Sequence, residues 1–176
     1  MKLQMKHWLA GLLGISGIAL SSLVPGGPIE TRSFSHIDPV ILGAFNTFLT
    51  TLCLGSLLLI YFVLKSDRWA MFAAAVCGLS FLGVYGLDLA EIFPVSPDGM
   101  PIALLAIEVL GTILALPLMV LSMQGISTLK PTTADAPILQ AESLPLLQTP
   151  RMVIAIGIAI VGLGIIVFAT YSAMGL

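Results

Sequence analysis

The chain is 176 residues long, 58% hydrophobic and 9% charged, with a formal net charge of −2 and a mean hydropathy of +1.09. A soluble domain of that composition would aggregate, and the weak acidic balance excludes a basic face able to hold a nucleic acid backbone. What is left is an all-α integral membrane protein, because the uncharged runs approach or exceed the roughly 20 residues needed to cross a bilayer and lack the alternation of a membrane β-barrel.

Five transmembrane helices are predicted in one polytopic membrane domain covering 1–176, over about 8–24, 39–64, 69–88, 101–123 and 152–172. The first span follows a basic flank, Lys2 and Lys6, and also resembles a secretory signal peptide ending near Ala19-Leu20-Ser21-Ser22. Removal would leave four spans. Gly11, Gly14 and Gly17 recur every three residues and favour retention, since they offer a neighbouring helix a smooth surface.

Span two opens at Asp38-Pro39, a capping carboxylate before a proline at the first helical position. Asn46, the single asparagine of the chain, lies seven residues beyond that proline, with Gly43, Thr47, Thr50 and Cys53 on or beside its face. Span three ends in Tyr85, Asp88 and Glu91 at intervals of three, which places them on one side of a continuing helix. Ser96-Pro97-Asp98-Gly99 reads as a tight turn.

Span four starts at Pro101 and carries Glu108 seven residues in, roughly 10 Å along the axis. A carboxylate at that depth is costly in lipid and belongs on the bundle interior. Glu108, Gly111, Ala115 and Ser122 share a face of small or polar residues, interrupted by Leu104 and Leu118. Pro117 is expected to kink the helix. A Pro-rich connector over 124–151 has no apolar face long enough to fold, and span five offers Ala155, Gly157, Ala159, Gly162 and Gly164 for close packing.

Cation placement sets the orientation. With the N-terminus cytoplasmic, six of the seven Lys and Arg fall inside and Arg32 alone falls outside, and the C-terminus ends outside. Trp8 and Trp69 then sit at the inner headgroups, with Tyr85 and Tyr171 near the outer ones.

The outer half of the bundle is therefore where chemistry concentrates. Glu108, Asn46, Asp88 and Tyr85 are expected to converge between spans two, three and four, with Glu91 beside them and Arg32 or His36 folding over from the first outer loop. A Glu108–Asn46 hydrogen bond there would hold the helices in register, whereas a solvated Glu108 would bind a proton or cation.

No catalytic residue set, cofactor motif or metal-ligand spacing is present, and Cys53 and Cys77 read as apolar filler. The residues point to a multi-pass protein of a bacterial-type inner membrane, surrounded by lipid and working through contacts with other membrane subunits or with itself. The competing expectation is a small transporter or channel with Glu108 as its intramembrane site.

Overall fold

The computed structural model describes residues 3–25, 27, 29–128 and 149–175. Among them the chain forms five helices and no strand: α1 (Leu3–Ser21), α2 (Pro39–Leu64), α3 (Arg68–Leu89), α4 (Ile102–Thr128) and α5 (Thr149–Ala173). Three of these, α2, α3 and α4, are long and apolar enough to cross a membrane. α1 is less apolar because Gln4, Lys6 and His7 occupy its first turns.

The ends of the helices follow from local chemistry. Asp38 caps α2 by accepting the Val40 N–H at 2.8 Å, with Pro39 at the first helical position. α1 stops at Ser21 rather than Val24, where the Ser21 and Ser22 hydroxyls donate to the carbonyls of Ile18 and Ala19 at 2.7 Å. α4 continues to Thr128 rather than ending near Met123, because no helix breaker intervenes before Pro131. The connector expected from Gln124 thus begins as helix, and its remainder over 129–148 lies outside the described residues.

The principal packing contacts join α1 to α2, α2 to α3, α3 to α4, and α4 back to α1. Four helices therefore close a ring, and α5 packs against α2 from outside it. The α3–α4 pair is the most extensive contact. Its seam is built from Met71, Ala74, Gly78, Phe81, Tyr85 and Asp88 on α3 facing Leu104, Glu108, Gly111, Ala115, Leu118, Ser122 and Gly125 on α4. Both rows advance by alternating threes and fours, the spacing that keeps one stripe of a helix against its partner. Leu104 and Leu118 belong to this seam rather than interrupting it, and both are fully buried.

Gly78 lets the two backbones meet, since a Cβ there would lie 3.1 Å from the Met119 amide nitrogen. The exterior is apolar: Phe72, Leu79, Ile113, Leu116 and Phe168 are exposed, while Glu108, Asp88 and Arg32 are buried. That inversion of ordinary surface chemistry suits a hydrocarbon surrounding.

Candidate functional site

One end of the ring gathers the polar side chains. The loop between α1 and α2 folds down so that Arg32 reaches Asp88 at the end of α3, with Nη1 donating to Oδ1 at 2.9 Å and Nη2 to Oδ2 at 2.8 Å. The same guanidinium donates to Glu30 through Nε at 3.0 Å and Nη2 at 2.6 Å, and the Arg32 backbone N–H also reaches Glu30. Its face lies over the Phe34 ring, 5.3 Å from the centroid. A planar fork holding two carboxylates in this way is a geometry that arginine supplies and lysine does not. Burial by itself would lower the hold of Arg32 on its proton, but the bound Glu30 and Asp88 carboxylates outweigh it and keep the pKa above the ordinary arginine value.

Glu108 is 1% exposed and meets the Asp88 carboxyl from α4. No donor from the described residues reaches Glu108 Oε2, and the Tyr85 hydroxyl beside it is likewise sealed and unpartnered. Tyr85 stays there because Gly111 leaves room for its ring: a Cβ at position 111 would fall inside the ring carbons. The ring also stacks on Phe81, with centroids 6.3 Å apart.

These groups border a cavity of about 40 Å³ whose walls include Glu30, Asn46, Tyr85, Asp88 and Glu108. That space is enough for a water or two or for one small polar group. Asn46 lines it but donates to Thr170 Oγ1 of α5 at 3.2 Å, not to Glu108. Asn46 therefore ties α5 to α2.

Two of the expected neighbours stand apart. His36 is exposed on the loop between α1 and α2. Glu91 is exposed too, because α3 ends at Leu89 and Glu91 adopts a left-handed backbone with φ 54°. Its N–H returns to Asp88 O and that of Ile92 to Leu87 O, a helix-closing motif that swings Glu91 off the Asp88 face. Tyr85 is in the core rather than at a headgroup level, whereas Trp8, Trp69 and Tyr171 are exposed.

The glycines also divide by position. Gly17 faces α2, with Ser56 Oγ 2.8 Å from where its Cβ would be, and Cys53 Sγ approaches its carbonyl at 3.3 Å. Gly14 meets Ile60 more loosely, and Gly11 and Gly157 face open space. A three-residue repeat lags behind the helical turn, so a stripe of three glycines rotates off a single neighbour. Gly162 lies near Leu54 and Thr50 of α2, and Ala115 is fully buried in the α3–α4 seam.

Glu30 is the residue that sequence reasoning passed over. It sits in a loop rich in proline and glycine, where a carboxylate reads as solvated, and only its position two residues before Arg32 hints at a pair. The loop is held by further bonds: Asp98 Oδ2 accepts the Ser33 N–H at 2.9 Å, Ser96 Oγ donates to Ser33 O at 3.1 Å, and Phe34 N–H donates to Ala173 O of α5 at 2.8 Å. Among the described residues no group of acidic, histidine or cysteine side chains is arranged to hold a metal ion.

No curated protein and no solved structure matches the chain. A profile described as a domain of unknown function matches residues 5–137, a stretch that contains nearly all of the four-helix ring and every residue of the polar cluster. The chain belongs to that family, DUF8051.

Proposed function

We propose that this is a multi-pass protein of a bacterial-type inner membrane, with five spans, a cytoplasmic N-terminus and an outer C-terminus. In this reading it serves as an accessory, assembly or regulatory subunit of a larger membrane complex and acts through helix contacts. Six of seven cations fit that orientation. Retention of the first span is supported by its packing against both α2 and α4, where Leu9 and Leu13 are fully buried.

The observation that carries the subunit reading is the dry layer beneath Glu108. Ala74, Phe81, Ala115 and Leu118 are all fully buried there and Gly78 brings the α3 and α4 backbones together, so the ring is plugged where a conduit would have to pass. Purification of the full chain in a mild detergent tests it. Co-migration with a stoichiometric membrane partner is the expected result, and a homogeneous lone particle counts against it.

A second reading, a small proton or cation transporter, draws on the Glu108 oxygen left without a donor beside a cavity. It requires ion flux in proteoliposomes that Glu108→Gln abolishes. Absence of flux in the wild type removes it.

A further inference from the structure

A second cavity of about 210 Å³ adjoins the small polar one between α1, α2 and α5, and the two share Leu20, Leu23, Pro25, Asn46 and Leu49 in their walls. Away from that shared wall the larger space is bounded by Val24, Leu54, Ile165, Phe168 and Ala169, with Ser21, Thr50 and Cys53 as its few polar or thiol groups. It exceeds the roughly 150 Å³ apolar cavity known to admit a benzene molecule. One of the two neighbouring cavities thus carries acidic groups and the other is mainly apolar.

The acidic cavity is electrically incomplete. Three carboxyl groups, Glu30, Asp88 and Glu108, face one guanidinium, and Glu108 Oε2 and Tyr85 Oη are both buried without a partner among the described residues. A buried polar atom left unpaired is costly, so a ligand able to donate to it binds strongly. No set of groups here suits a metal ion. Aromatic walls, Phe45 and Tyr85, favour an organic cation instead. A phosphate-bearing lipid head would bring negative charge against the three carboxyls.

We propose that the two neighbouring cavities bind a single-chain alkylamine as its ammonium ion, the N–H donors meeting Glu108 and Tyr85 and the alkyl chain lying between α2 and α5. The inference is independent of whether the protein is a subunit or a transporter.

The test uses the full chain in neutral maltoside micelles, titrated with octylamine, 1-octanol, octanoate and ethylamine while thermal unfolding and binding heat are followed. Octylamine is expected to raise the unfolding midpoint and to bind at least tenfold more tightly than octanol or ethylamine, with no binding of octanoate. Glu108→Gln and Tyr85→Phe should each weaken octylamine by roughly tenfold, since the first removes the negative charge facing the ammonium and the second removes the hydroxyl that accepts from it. Ala169→Phe, which fills the apolar cavity, should reduce octylamine to the affinity of ethylamine. Equal binding of octanol and octylamine overturns the charge recognition. Unchanged octylamine affinity in Ala169→Phe, or in both cluster variants, overturns the site.

Discussion

The two ends of the α3–α4 seam use one spacing for opposite physics. Near Met71 and Gly125 the helices are held by proximity alone, with small residues and a flexible thioether filling the gap. Near Tyr85 and Glu108 the same alternation of threes and fours carries a carboxyl pair, an orphaned phenol and a guanidinium brought in from a loop. In lipid, apolar side chains gain little by leaving the bilayer for a protein interior, so the dry end depends on close fit and the polar end on charge pairing. Damage to each end should differ in size and in kind.

The largest effect should come from Arg32→Met, which leaves Glu30 and Asp88 buried without their cation. A loss of about 3–5 kcal/mol is expected in denaturant or SDS unfolding, with much of it recovered on adding Asp88→Asn. A loss under about 1 kcal/mol would mean that the polar end is not charge-held. Next, Gly111→Ala forces its methyl into the Tyr85 ring and should cost about 1–3 kcal/mol. Gly125→Ala, which meets only the bendable Met71 side chain at 3.0 Å, should cost less. Equal losses at the two glycines would erase the contrast between rigid and yielding neighbours.

Alkaline titration sharpens the same contrast. Because the folded-state pKa of Arg32 lies above its ordinary value, its contribution is complete below that ordinary value and is lost only at still higher pH. The wild-type loop should therefore stay docked to about pH 11, while Arg32→Lys releases it as pH climbs through the lysine range near 10.4. Limited proteolysis of the 22–38 loop reads the release. Smaller again is Asn46→Ala, which removes one interhelical bond to Thr170 and should cost roughly 0.6 kcal/mol with little effect on the ring.

The sequence made the helices legible because each signal was local. Asp38-Pro39 marks the start of α2, and Glu108 announces an inward face by its depth in an apolar run. Depth along successive spans suggests Asn46, Tyr85, Asp88 and Glu108 as neighbours, whereas it leaves the loop cation open between Arg32 and His36. What escaped were decisions made by neighbours. Gly78 is unremarkable among alanines until the α4 backbone lies against it. Glu91 continues a three-residue spacing on paper, yet the helix stops two residues earlier and turns it outward. Asn46 has the right depth for Glu108 but finds Thr170 on a helix more than a hundred positions away.

The loop that delivers Arg32 also fixes an order of events in time. Asp88 lies 56 residues further along the chain, so on a ribosome the guanidinium emerges with Glu30 already made and Asp88 still to come. Until α3 is in place, Glu30 is the one carboxylate of the pair of partners that Arg32 can meet. Completion of the cluster is then a late step of biogenesis, and a nascent chain stalled before that point would present the loop with its guanidinium only half engaged.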